Sequence, residues 1–446
     1  MATTRPHKEV ESSHEGKSRR DFMRAILQDL RALENMLEGG WIESGVRRIG
    51  AEQEMFLIDK AWAPAPGALK MLERLSDPHF TTELGLFNLE ANADPQMFSG
   101  DGLSRMEKQL SELVASAQKA ATELDLQAVL IGILPTIRKS DLGLDMMVPS
   151  PRYRALNKAM NELRGGAFEF SIKGTDELLL KHDSVMVEAC NASFQVHLQV
   201  GADEFARLYN LAQVLAGPMV ALAANSPLLF GRRLWAETRI ALFQQAVDTR
   251  STTHHLRESS ARVNFGNRFV KKSVLEIYKE DIARFRTLVG TDLDEDPFEK
   301  LSRKEAPQLK ALRLHNGTIY RWNRACYGVM DGKPHLRIEN RVLPAGPSVL
   351  DEIANGAFWF GLMAEMGAQI EDVTRHIEFD DAQRNFYAAA RDGLGAHFSW
   401  LDGKEILAPQ LLREKVLVNS GVEGDRSIRP PHSCFKGPSV CRSRLQ

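Results

Sequence analysis

The chain has 446 residues, 43% of them hydrophobic and 26% charged, with a formal net charge of −2. These are ordinary values for a globular protein with an ample core, and they give no electrostatic case for nucleic acid or an acidic membrane surface. No apolar run approaches the length of a membrane span. The four cysteines (Cys190, Cys326, Cys434, Cys441) show no Cys-x-x-Cys spacing and no disulfide framework. Met1 to Arg20 carries no apolar stretch of the secretory kind, so the expected location is cytoplasmic.

Residues 1–18 are polar and charged and are expected to be disordered. Phe22, Ile26, Leu30, Leu33 and Leu37 then follow helical spacing until Gly39-Gly40 ends the pattern. A strand is expected over Ile49–Ile58, a loop over Ala61–Leu69 and a second strand over Phe87–Asn92. Leu103, Met106, Leu110, Leu113, Ala117 and Ala121 define a long amphipathic helix. Leu126–Leu134 reads as a buried strand stopped by Pro135, and Tyr153–Leu163 as a helix. Strands are expected over Ala167–Ile172 and Ser184–Val200, and helices over Asp203–Ala224 and Trp235–Ala246. Residues 252–310 are a more polar excursion with short helices. Thr318–Tyr327 and His335–Leu343 pair around an Asp331-Gly332 turn. Ser348 with Asp351 then caps a helix running to about His376. The tail, 416–446, accumulates Arg and Lys and is expected to be disordered. Strands scattered through one chain and separated by helices predict an α+β fold. Its mostly antiparallel sheet would carry helices packed on one side, in a single catalytic domain over 19–415.

Four of these strands carry unusual polar faces. Glu52 and Glu54 lie two apart on the first; Asn88, Glu90 and Asn92 on the second; Gln195, His197 and Gln199 on the third; Arg337, Glu339 and Arg341 on the fourth. Residues i and i+2 of a strand share a face. In one sheet, Glu52, Glu54, Glu90, His197 and Glu339 would converge beside Arg337 and Arg341. A solvated sheet face alternates too, but here Lys and Thr are absent while Glu, His, Asn, Gln and Arg recur. Carboxylates so close repel unless cations neutralise them. A divalent-metal site handling a phosphorylated ligand follows, with His197 as a nitrogen ligand or a donor to phosphate. Glu83 lies seven before Glu90, on the opposite face of an unbroken strand, unless a bulge at Gly85 corrects the phase.

Other signals are weaker. There is no Gly-x-x-x-x-Gly-Lys-Ser/Thr loop, so bound ATP would be held by metals and arginines. Asp292-Leu-Asp294-Glu-Asp296 has Pro297 and Arg303 where a calcium loop needs Gly and Glu. His254-His255 lacks carboxylate companions and reads as a surface pair.

The segments Gly50–Asp59, Glu83–Asn92, Phe194–His197, Ala224–Leu228, Trp235–Arg239 and His335–Ser348 resemble the glutamate–cysteine ligase type 2 family, the carboxylate–amine ligases, over roughly residues 45–395. The resemblance implies a glutamine synthetase-like catalytic fold and ATP- and Mg²⁺-dependent amide formation (Mn²⁺ as a substitute) through an acyl phosphate. Glutamate and cysteine, or another amine, are the small-molecule substrates it suggests. It implies metal ligation by Glu52, Glu54, Glu83, Glu90 and Glu339, with His197 at or near the metals. Arg337, Glu339 and Arg341 would act in catalysis, the two arginines and His197 on the nucleotide, and Asn88 and Arg239 on the substrate. An exposed helix-surface arginine is the other reading of Arg239. Tyr320-Arg-Trp-Asn-Arg324 and Cys326 fit a branch of that family apart from its best-studied ligases. A metal-dependent phosphoesterase and a non-catalytic nucleotide-binding regulator are the rival functions. Oligomeric state is left open, a homo-oligomer included.

Overall fold

A computed structural model describes residues 10–11, 16–250, 261–291 and 294–416. Of the ends expected to be disordered, 1–9, 12–15 and 417–446 lie outside these residues, as does the His254-His255 pair, whereas Val10–Glu11 pairs with Gly290–Thr291 and residues 16–18 are helical. Helix α1 (Gly16–Glu38) contains the periodic set from Phe22 to Leu37 and starts inside the stretch expected to be disordered. The sheet comprises β1 (Arg48–Ile58), β2 (Phe80–Thr82), β3 (Asn88–Asn92), β4 (Gln96–Met97), β5 (Gln127–Val129), β6 (Phe194–Val200), β7 (Asn323–Met330) and β8 (Lys333–Asn340). All neighbours are antiparallel, in the order β7–β8–β6–β1–β3–β2, and β4 and β5 add to opposite ends of β1. Mixed helix and antiparallel sheet is the expected class.

Burial alternates along the first half of β1, and Ile49, Ala51 and Met55 are buried. That apolar face packs against α2 (Gly102–Glu123), while α3 (Phe205–Ala223) and α5 (Val349–Gln369) pack on β6 to β8. Gly356 of α5 lies directly over Val196 and Phe194; a Cβ there would stand 3.4 Å from the Val196 side chain. Ser348 caps α5, its Oγ accepting from the Asp351 N–H at 3.2 Å. The helix stops at Gln369, short of His376, and a separate turn at Val373–Arg375 is capped by Asp372. With one face covered by helices, the period of two leaves the other face to the polar residues.

Three strands differ from expectation; of Thr318–Tyr327, Tyr320–Arg321 pairs in parallel with Val263–Asn264 outside the main sheet, and the hairpin strand begins at Asn323. Over 184–200, Val185–Cys190 forms a 3₁₀ turn capped by Ser184, and the strand begins at Phe194. Both halves are apolar and buried, and periodicity alone cannot separate a buried turn from a buried strand. Of Leu126–Leu134, only Gln127–Val129 forms a strand, and Ile133 adds an isolated bridge to Asn191. β6 occupies that edge of β1 along residues 49–53, leaving only Phe56–Ile58 for β5. The β7–β8 turn is as expected: Asp331 (φ 50°) and Gly332 (φ 76°) both take the left-handed conformation of a type I′ hairpin.

Candidate active site

Register decides which polar residues meet. Gly50 pairs with His197, and His197 pairs with Glu339 on its other side. Glu339 in turn pairs with Arg324. One step along, Glu52 lies between Gln195 and Asn92, and Glu54 lies opposite Glu90. Two groups result. Ligand-type atoms of Glu52, His197 and Glu339 lie within 4.8 Å of one another, and so do those of Glu54, Glu83 and Glu90.

Glu83 reaches the second group without a bulge. The chain reverses between β2 and β3, and Thr81 of β2 pairs with Glu90 of β3. Glu83, two residues beyond Thr81, returns to the same face from a neighbouring strand. Its distance of seven from Glu90 along the sequence therefore carries no phase.

The electrostatics differ between the groups. Burial raises Glu54 to about 7, with the Glu90 carboxylate adding to the shift. Burial and Glu90 push Glu83 well above the ordinary range. Glu188, in the turn before β6, is driven to about 8 by burial and by Glu54. Three carboxyls that prefer protons are three that a cation would relieve. Glu54 is aimed by the Ser193 N–H (2.7 Å) and the Gln195 side-chain amide (2.9 Å). Asn92 donates to Glu90 at 2.8 Å.

In the first group, Glu339 is fully buried. Burial pushes its carboxyl up, but Arg324 and Arg341 outweigh that and hold it well below the ordinary range. Arg324 grips it with two bonds, Nε to Oε2 at 2.8 Å and Nη2 to Oε1 at 2.9 Å. Arg341 donates to Glu339 Oε1 and to Gln195 Oε1 at 2.6 Å. The Cys326 thiol donates to Oε2 at 3.0 Å; burial and Glu339 raise it to about 12, so it stays protonated. His197 contrasts with this saturation. Both of its ring nitrogens are buried without a hydrogen-bond partner, although Nε2 lies 3.3 Å from Glu52 Oε1. An orphaned imidazole between two carboxylates is the donor set a divalent metal fits.

The remaining expected residues divide. Arg337 shares the polar face, and its Nη1 lies 2.6 Å from His335 Nε2. Burial and Arg337 hold His335 down at about 3, so it is a neutral acceptor. Asn88 is buried with an unsatisfied Oδ1. Arg239 is no surface residue: it is 3% exposed. Its Nε donates to Glu237 at 3.2 Å, its Nη2 to the Val342 carbonyl at 2.5 Å and its Nη1 to the Arg341 carbonyl at 3.4 Å. Glu237 also accepts from the Asn225 N–H (2.8 Å) and the Ser226 hydroxyl (2.7 Å). One buried carboxylate thus ties the Ala224–Leu228 and Trp235–Arg239 segments to the end of β8. That turn also delays α4 (Thr238–Ala246), which was expected from Trp235.

The glutamate–cysteine ligase family 2 model matches residues 48–429, most of the chain. The chain belongs to glutamate–cysteine ligase family 2. The family match contains both carboxylate groups and all of the arginines around them. Among solved structures, glutamate–cysteine ligase from Francisella tularensis in complex with AMP is similar at 14% identity and a TM-score of 0.53, covering 85% of this chain and 78% of that one. A bifunctional glutathione synthetase from Pasteurella multocida gives 11% identity and a TM-score of 0.48, covering 94% of this chain and 48% of that one. At 14% identity the first of these likenesses is one of fold alone. No curated protein sequence matches the chain.

Sequence reasoning about this family member missed Arg324 and Glu188. Arg324 was legible: it lies seven residues before Asp331, and Glu339 lies seven after Gly332, so the two-residue turn sets them opposite. Glu188 sits in the apolar run Val185–Cys190 and carries no periodic signal.

Proposed function

We propose that the protein is an ATP-dependent ligase that joins a carboxylate to an amine through an acyl phosphate, with divalent cations at the two groups on the polar face. The observation that carries this reading is the pairing of two three-residue donor sets on one sheet face, one of them containing an unsatisfied buried imidazole. Glu52, His197 and Glu339 would hold one cation, and Glu54, Glu83 and Glu90 another. A divalent cation such as Mg²⁺ or Mn²⁺, held by these residues, would supply positive charge to offset that of nucleotide phosphates.

The chain's own residues do the rest. Gln195 and Ser193 fix Glu54, while Arg341 bridges Gln195 and Glu339 at the border of the two sets. From there Arg341 can stabilise charge on a transferring phosphoryl group. Arg337, aimed by neutral His335, offers a second cationic contact for phosphate. For Arg239 the geometry supports fixing the Arg341–Val342 backbone over gripping a substrate carboxylate. Asn88 has an unused acceptor at the buried end of β3. Family membership points to glutamate as carboxylate donor and cysteine or another amino acid as amine, in a cytoplasmic setting.

The test is ADP release by purified protein with Mg²⁺, ATP and pairs of amino acids, with products identified by mass. ADP formed only with a particular pair, together with a product lighter than the pair by one water, supports the proposal. Phosphate release that needs no amine, or no release with any pair, overturns it.

A further inference from the structure

The saturation of Glu339 bears on how its cation binds. A carboxylate offers about four lone-pair directions. On Glu339 they are taken by Nε and Nη2 of Arg324, Nη1 of Arg341 and the thiol of Cys326. A cation shared with Glu52 and His197 must take one of them. The three donors are not equally free to yield. Arg341 has a second acceptor in Gln195, and Cys326 is buried in its strand. Arg324 spends both of its hydrogen bonds on Glu339, and its side chain keeps 19% of its surface in solvent. It alone holds both carboxylate oxygens, so its departure opens each of them to a cation.

We infer that Arg324 competes with a divalent cation for Glu339, so that Arg324 sets the metal affinity of the Glu52–His197–Glu339 group. The inference rests on the proposed metal site. A guanidinium close to a divalent ion repels it, and inside a protein that repulsion is only partly screened. Arg324 is therefore a positioning residue: it keeps a buried carboxylate neutralised and gives it up to a stronger cation. The metal then arrives only where something else, such as the phosphates of a nucleotide, adds to its binding. Free divalent ion alone would bind this group weakly.

The decisive experiment titrates Mn²⁺ into the full-length protein without nucleotide, following the free-ion electron paramagnetic resonance signal. Removing the guanidinium with Arg324→Gln should tighten Mn²⁺ binding by roughly tenfold or more. The double variant Arg324→Gln/Glu339→Gln should lose the gain. Wild-type binding with no tightening in Arg324→Gln, or a gain that survives in the double variant, overturns the inference. If Arg324→Gln does not fold, Arg324→Lys decides, because it keeps the charge but loses the two-pronged grip; it should bind Mn²⁺ a few-fold more tightly, and unchanged or weaker binding overturns the inference. Absence of Mn²⁺ binding in every form removes the proposed metal site itself, a result distinct from a bound ion indifferent to Arg324.

Discussion

His197 and Glu52 stand 3.3 Å apart, Nε2 to Oε1, yet the imidazole makes no hydrogen bond through either nitrogen. Leaving buried polar atoms unsatisfied costs about 1–3 kcal/mol, so the ring is retained against stability. Replacing it with an apolar side chain should separate the two effects. His197→Leu is expected to keep or raise the melting temperature while weakening Mn²⁺ binding about tenfold or more. A lower melting temperature with unchanged Mn²⁺ affinity would show that His197 serves the fold.

The carboxylates of β1 offer a second test. Glu52→Gln and Glu54→Gln preserve shape but remove the charge that a cation needs, and at Glu54 also one of the two oxygens that accept from Ser193 and Gln195. Each should abolish Mg²⁺-dependent ATP turnover and leave the circular dichroism spectrum nearly unchanged, with a lower melting midpoint for Glu54→Gln. Full turnover in both variants, or in wild-type protein treated with EDTA, would rule out metal at these groups.

Proton competition gives the pH dependence. Glu54 at about 7, Glu188 at about 8 and the strongly raised Glu83 all hold protons more tightly folded than unfolded. Their contribution to metal-free stability is complete below the ordinary carboxylate range. It is lost as pH rises through 7 and 8. Metal binding runs the other way, because the ligands must shed protons first. Melting temperature without metal should therefore fall between pH 5 and pH 8.5, while Mn²⁺ affinity rises over the same interval. Glu188→Gln should flatten the fall in melting temperature. Parallel rather than opposed trends would contradict this picture.

Arg239 supplies a test of position against contact. Breaking a buried ion pair typically costs about 3–5 kcal/mol, and Lys cannot reproduce the bonds Arg239 makes to Glu237 and two carbonyls. Arg239→Lys should lower the melting temperature by several degrees and reduce kcat through the displaced Arg341. KM for either amino acid should stay within about twofold, since the side chain is not expected to touch substrate. A selective rise in KM for one amino acid would make Arg239 a substrate contact after all.

Much of this site was legible in the sequence because strand geometry has a fixed period. Glu52 and Glu54, Gln195 and His197, and Glu339 and Arg341 share a face by alternation alone, whatever the strand order. The Asp331-Gly332 turn likewise sets Arg324 opposite Glu339 without any tertiary information. Family resemblance supplied Glu83, which alternation placed on the wrong side.

What alternation cannot supply is adjacency. That β6 sits between β1 and β8, bringing His197 between Glu52 and Glu339, is set by how α2, α3 and α5 cover the opposite face. No local pattern encodes that order. Glu83 joins Glu90 because the chain turns back between β2 and β3, and Glu188 joins Glu54 from an apolar turn that looked like a strand. The saturation of Glu339 by two arginines and a thiol, the empty valences of His197 and the burial of Arg239 depend on distances between segments remote in sequence. Local periodicity thus determined which side chains could face together. Only long-range packing decided which of them meet, because contact energies depend on three-dimensional separation and the chain's own spacing does not.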